Sequence, residues 1–367
     1  MKTPMMTGRE RVQRMFERKD HDRVPRSDWY WPETLERWNK EGFQGDGEAA
    51  LRFLGADFKD IVGVTPRAFA GPPVTVSEDE ETRVTRDAYG GKMRYWKRHS
   101  GTPEHLAWEC SSREVWEKKI KPLVLSLPIA ENLLGVSNPS EIATVFAKGR
   151  ESGQWLAIGG METFELLRRY LGDEVMLIAM AEDPDWIQDM SNTLTDRLLA
   201  DLGVVVKQGI APDGLWIYGD MAFNKGPFCS PRMYRQLVWS DHKRIADWAH
   251  QHGMKLIYHT DGNVNSIIEM FIEAGFDMLH PLEAKAKMDV RQLAPKYGAR
   301  LAMFGNIDMA IVGGNDPAVI EEEVRAKFAA GMACKGYAYH ADHSVPPTVS
   351  WESYKLIIRL LDQYGCY

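Results

Sequence analysis

Eight short apolar runs punctuate the chain, at residues 23–29, 58–64, 155–160, 214–219, 255–260, 276–282, 300–306 and 336–340. Most are continuously apolar rather than alternating, the pattern of strands buried on both faces. Helical patterns lie between them. Ser230-Pro231 reads as an N-cap with Pro at the first helical position, Asp316-Pro317 opens another helix, and the last helical stretch, residues 348–364, stops at Gly365. Eight strands each followed by a helix predict an α/β fold of the (β/α)8 TIM-barrel type, with a doubly wound sheet as the alternative. The chain is expected to be one barrel domain over residues 1–367, with a helix within residues 1–23. The gap after the second run is too long for one helix. Its residues 73–96 alternate polar and apolar around Gly90-Gly91, which predicts an antiparallel β-hairpin insert within about residues 70–125.

The bulk numbers exclude several classes. A net charge of −7, with no block of like charge, gives no electrostatic reason for a nucleic-acid or anionic-membrane partner. No apolar run reaches the ~18 residues of a membrane span. The first residues lack the apolar core of a signal peptide. The four cysteines form no CxxC pair, so they read as thiols in a reducing cytoplasm.

Barrel enzymes work at the C-terminal ends of their strands. Those ends carry Asp28-Trp29-Tyr30-Trp31, Asp60 and Thr65, Met161-Glu162, Tyr218-Gly219-Asp220, His259-Thr260-Asp261, His280-Pro281-Leu282-Glu283, Asn306-Ile307-Asp308 and His340-Ala341-Asp342-His343. Most ends are therefore polar, which is costly unless each group is paired or used. Imidazole and carboxylate at the ends of two strands can meet over one pocket. His259, Asp261 and His343 are candidate metal ligands, leaving a fourth position open. Asp220 or Glu283 would then be a further ligand or a partner fixing an imidazole tautomer. The competing reading is a hydrogen-bonded trio that ties two loops together. Asp220 and Asp308 equally suit caps, Glu283 a solvated loop carboxylate, and His280 a packed histidine.

These segments resemble the uroporphyrinogen decarboxylase superfamily over nearly the whole chain. The resemblance runs through Asp22-Arg23-Val24-Pro25, Phe58-Lys59-Asp60-Ile61, Gly219-Asp220, Gly305-Asn306-Ile307-Asp308 and His343-Ser344-Val345-Pro346-Pro347. True uroporphyrinogen decarboxylases need no metal. Just after the opening they carry an Arg-Gln-Ala-Gly-Arg stretch that pairs with the substrate's carboxylates. Here Arg26-Ser27-Asp28-Trp29-Tyr30-Trp31-Pro32-Glu33 stands in its place, without the arginine pair. Asp60 and His343 match positions of the decarboxylase pocket. The superfamily's cobalamin-linked methyltransferases bind zinc through a His-x-Cys-Gly motif and a later Cys. His259-Thr260-Asp261-Gly262 is similar to the first, with Asp261 in the Cys position, and His343 stands at the second.

The resemblance thus implies a corrinoid-dependent methyltransferase of O-demethylase type. Zinc would sit at His259, Asp261 and His343, a harder site than a thiolate one and suited to an ether or alcohol oxygen. Trp29, Tyr30, Trp31, Trp216, Tyr218 and Glu162 would contact a small O-methyl donor, with aromatic donors among the candidates. Asp220, Glu283 and Asp60 would move protons. The corrinoid would come on a separate partner protein, since the Asp-x-His-x-x-Gly motif of corrinoid modules is absent. A homodimer is also implied. Two alternatives stand beside it: a metal-free decarboxylase using Asp60 and His343, and a non-catalytic tetrapyrrole- or corrinoid-binding protein.

Overall fold

The computed structural model describes residues 5–98 and 103–367. Seven parallel strands stand side by side in chain order: β1 (Phe58–Val64), β2 (Trp155–Met161), β3 (Gly214–Tyr218), β4 (Lys255–His259), β5 (Met278–His280), β6 (Ala302–Phe304) and β7 (Tyr337–Ala338). Helices separate successive strands, and Trp351–Tyr364 follows the last. A two-residue antiparallel strand, Leu133–Leu134, pairs with the end of β1. The insert after β1 is a four-stranded antiparallel sheet rather than a hairpin, built from Val74–Glu78, Thr82–Arg86, Gly91–Trp96 and Glu104–Trp108.

The first expected strand is corrected. Residues 23–29 form no ladder but cross the gap between β7 and β1 by isolated contacts. Arg26 bridges Tyr339 and Tyr30 bridges Val345, both in parallel sense. Pro25 has no N–H to give a ladder, and the Asp28 carboxylate, not a backbone carbonyl, takes the Ala341 N–H at 2.9 Å. The sheet therefore curls without closing as a continuous ladder, and a seam remains beside β1.

Strand side chains alternate between the two faces. Inward residues Phe58, Trp155, Ala157, Trp216, Ile257, Met278, Ala302, Phe304 and Ala338 share one apolar cluster, stoppered from below by Val12 and Met15 of the helix Gly8–Phe16. The residues between them, such as Leu156, Ile217, Tyr258 and Leu279, pack outward against the helices. Both faces are apolar, which is why the runs read as continuous. In β1 a bulge between Asp60 and Val62 shifts the register against β2, the kind of irregularity that re-aims side chains.

Asp57 ties the seam together. Its carboxylate accepts from Arg11, from Arg23 Nη1 at 2.7 Å and from the Arg26 N–H at 2.9 Å. Its backbone bonds Arg26 O and the Trp155 N–H, each at 2.8 Å. Both Asp57 and Arg11 are buried. Removing one partner of a buried ion pair leaves the other charge uncompensated, so Asp57→Ala is expected to lose ~3–5 kcal/mol of stability. Urea denaturation checks this; a loss below about 1 kcal/mol would show that the hub carries little.

Candidate active site

The same two-residue period continues upward from the apolar layer. Above Trp216, Ile257, Met278 and Ala338 come Tyr218, His259, His280 and His340. The His259 ring stacks on Tyr218 at 5.0 Å and packs beside Trp29 at 5.2 Å. Its Nδ1 is 2.8 Å from Nδ1 of His280, which directs Nε2 the other way, to 3.8 Å from Asp220 Oδ1.

The loops after β3 and β4 are locked together. The Met221 N–H donates to Thr260 Oγ1 at 3.0 Å, and the Asp261 N–H donates to Asp220 Oδ1 at 3.0 Å. Gly262 has φ +84°, and a Cβ there would lie 2.5 Å from the Ala222 backbone, so only glycine allows the approach. Its N–H donates to Glu283 Oε2 at 2.7 Å. In consequence one donor atom each from Asp220, His259 and Asp261 lie within 4.8 Å of one another. Asp261 Oδ1 is buried with no hydrogen-bond partner among the described residues.

Burial sets the proton affinities. It pushes His259 down to about 4, against the pull of Asp220 and Glu283, so the ring is neutral near pH 7. Burial, and then the neighbouring Asp220 charge, raises Asp261, while His343 opposes. His280 is held well below the usual histidine range and His340 at about 3, both by burial first.

Beside this cluster lies a cavity of about 320 Å3, lined among others by Trp29, Asp60, Gly159, Met161, Trp216 and Tyr218. Trp29 stacks on Trp216 with ring centroids 5.5 Å apart. Among its described lining residues there is no arginine or lysine. Asp60 lines this cavity and is exposed to solvent, and its carboxyl makes no hydrogen bond to a described residue. The protein atoms around the carboxyl raise it, to about 7, by desolvation.

The candidates thus divide. The structure brings together Asp220, His259, Asp261, Tyr218, Trp29, Trp216 and Asp60. His343 stands one step out, its Nε2 3.6 Å from Asp261 Oδ2 and its ring stacked on Trp31 at 6.3 Å. Asp220 takes the place expected of His343. The chain turns away after His340 because Asp342 is claimed by the N–H groups of Met309 and Ala284, at 3.0 and 3.1 Å. Tyr30 is corrected: its hydroxyl meets that of Tyr354 at 2.7 Å, so it packs on the last helix and not in the cavity. Glu162 is corrected too. It is fully buried as the N-cap of the helix Thr163–Glu182, accepting from Phe164 N at 2.6 Å and Glu165 N at 3.0 Å and pairing with His242 Nε2 at 2.8 Å. Glu283 holds the Gly262 turn and contacts Lys285 Nζ at 3.1 Å. His280 and His340 are not among the expected site residues; counting in twos from Met278 and Ala338 reveals them.

Residues 172–364, just over half of the chain, match the family described as uroporphyrinogen decarboxylase (URO-D). The chain belongs to the URO-D family. No curated protein matches it. Among solved structures, a methyltransferase from Methanosarcina mazei superposes with a TM-score of 0.64 at 15% identity, covering 98% of this chain and 99% of that one. At that identity the likeness concerns the fold. The C-terminal domain of a putative chitinase from Desulfitobacterium hafniense DCB-2 reaches a TM-score of only 0.41 at 10% identity, over 94% of this chain and 99% of that one, and carries no argument. On this fold the chain carries a His/Asp/Asp cluster beside an aromatic cavity.

The raised carboxyl of Asp60 has a stability consequence. Its folded value lies above its ordinary 3.8, so the native state is favoured while Asp60 is protonated and is penalised as pH rises from about 4 through 7. Asp60→Asn removes that penalty. Allowing for solvent in the cavity, the variant should be more stable by on the order of 1 kcal/mol at pH 8 and equal to wild type near pH 4. Denaturation at the two pH values decides; an equal gain at both would assign the effect to packing.

Proposed function

We propose that this protein is a methyltransferase of the corrinoid-dependent, O-demethylating kind. It would take the methyl group of a small O-methyl donor and hand it to a corrinoid on a separate protein. One observation carries the reading: Asp220, His259 and Asp261 converge, and His259 of that group lines an aromatic cavity whose described lining has no arginine or lysine. The full-length fold likeness to a methyltransferase supports the same branch.

The donor set fits a divalent ion such as zinc. It has one neutral imidazole nitrogen and two carboxylates, one of them with a buried, unpartnered oxygen. Such an oxygen is expensive to bury unless something binds it. When bound, the ion supplies Lewis acidity to the donor's oxygen. The chain's own residues do the rest. The Nδ1–Nδ1 contact with His280 holds the His259 ring so that its Nε2 faces Asp220, the atom that would meet the ion. Trp29, Trp216 and Tyr218 give the methyl-bearing group an apolar wall. Asp60, whose carboxyl is raised by desolvation, gives its proton to the departing oxygen. A zinc site, a homodimer and a cytoplasmic setting go with this reading.

Asp60 also favours a second reading, decarboxylation without metal, since an unpaired carboxyl titrating at about 7 is itself an acid–base catalyst. A polycarboxylate substrate fits poorly, however. Arg26, from the region where decarboxylases carry their arginine pair, turns outward to Asp362 at 2.6 Å.

Elemental analysis separates the two. Wild type should carry near one zinc per chain, and His259→Ala or Asp261→Ala less than a tenth of that. Methyl transfer, followed through the visible spectrum of the corrinoid, should fall at least 100-fold in both variants. Turnover that survives complete metal removal would leave the decarboxylase reading in front. The cavity gives a second expectation. A Cβ on Gly159 meets nothing closer than 3.6 Å, so Gly159→Val projects into the free space. It should raise the KM for the donor about tenfold with metal content unchanged; an unaltered KM would place the donor elsewhere.

A further inference from the structure

Two cavities meet at Asp60. One is the aromatic cavity already described. The other, of about 400 Å3, lies in the seam between residues 27–29 and β1, beneath the helix Gly47–Leu54. Trp29, Trp216 and Asp60 line both. The two stacked indoles form a partition, and the Asp60 carboxyl sits beside it, reachable from either side.

The seam has a plain structural cause. On this edge β1 is held at its start by the Asp57 N–H on Arg26 O, at 2.8 Å, and at its end by Gly63 and Val64 pairing with Leu134 and Leu133. Among the described residues no ladder contact is made on that edge between these points, the stretch that carries Lys59 and Asp60. Backbone groups left without a protein partner are satisfied by water. Charged and polar groups at this cavity, Lys59, Arg52 and Gln154 among them, make it a wet space, whereas the aromatic cavity is apolar.

The geometry points to a lateral solvent port: water reaches Asp60 through the seam and exchanges the carboxyl proton on the far side of the indole partition from the substrate cavity. What the proton is for rests on the proposed function. There, a corrinoid protein covering the strand ends would seal the aromatic cavity from above. The O–H bond of Asp60 breaks as an O–H bond forms on the departing oxygen. The resulting carboxylate then takes a proton from hydronium or a small buffer acid in the port, which restores the acid for the next turn. Metal-free decarboxylation would need the same supply.

Thiol labelling tests the port without any methyl transfer, so its failure is distinct from failure of the functional reading. The background is the full chain with Asp60→Cys, and with Cys334→Ser and Cys366→Ser because those two cysteines are not buried. The probe is a small cationic methanethiosulfonate. Leu134→Trp, which narrows the aromatic cavity, should change the labelling rate less than threefold. Adding Leu51→Trp, which fills the seam, should then slow it at least tenfold. Loss of labelling with Leu134→Trp alone, or undiminished labelling in the double variant, overturns the port. If circular dichroism shows Leu51→Trp misfolded, Arg52→Trp fills the same cavity from the next position of the helix.

Discussion

Strands buried on both faces leave each residue one choice, inward or outward, and that choice places the chemistry. Ile257 points in, so His259 does; Met278 points in, so His280 does; Trp216 carries Tyr218 and Ala338 carries His340 in the same way. A slip of one residue in β4 would put Leu256 and Tyr258 inside and send the imidazole into the helix layer. Tyr258 is bound outward, its hydroxyl on Gly219 O at 2.8 Å. Each large inward side chain, such as Trp216 or Phe304, contributes ~1.5–3 kcal/mol through burial. The apolar floor therefore holds the polar layer above it in phase.

That polar layer is kept at a cost. The Nε2 atoms of His280 and His340 and Oδ1 of Asp261 are buried without partners among the described residues. Neutrality limits the cost for the imidazoles, since burial keeps their protons off near pH 7. Two carboxyls show how similar proton affinities arise from opposite surroundings. Asp28 is fully enclosed and accepts from Ala341 N and the Tyr339 and Tyr354 hydroxyls, each at 2.9 Å, yet burial still raises it to about 7. Asp60 is raised as far with no such partners. Asp28 spends its lone pairs on closing the seam, while those of Asp60 are free to meet a ligand. The first is scaffold and the second is available for work.

This division explains what could be read from the sequence. The runs that became β2, β3 and β4 were legible because both faces are apolar over five or more residues. The first run was not, because Pro25 lacks an N–H and the Asp28 carboxylate takes the Ala341 N–H that a ladder would give to a carbonyl. The fourth strand of the insert, Glu104–Trp108, is almost wholly exposed and so lacks the alternation that burial imposes. At the site, strand ends announced His259 and Asp261. Their partner could not be read off, because the closeness of Asp220 depends on Thr260 Oγ1 and on an approach only Gly262 permits. Glu162 stands just before Thr163 and caps a long helix, a role in which its carboxylate lies behind Gly219, where a Cβ would overlap its oxygen.

The family's most recognisable segment turns out to act on the site from behind. Asn306 accepts the Val290 N–H at 2.9 Å and donates to Leu282 O at 2.6 Å and to Met288 O. Asp308 caps the next helix, accepting from Ala310 N at 2.8 Å. Asn306 thereby fixes the loop that carries Glu283, and Glu283 in turn holds Gly262 beside Asp261. The inward side chains that line the cavity are aromatic and acidic. A cavity wall without arginine or lysine offers nothing to a substrate of many carboxylates. Its aromatic walls suit a neutral, largely apolar group instead.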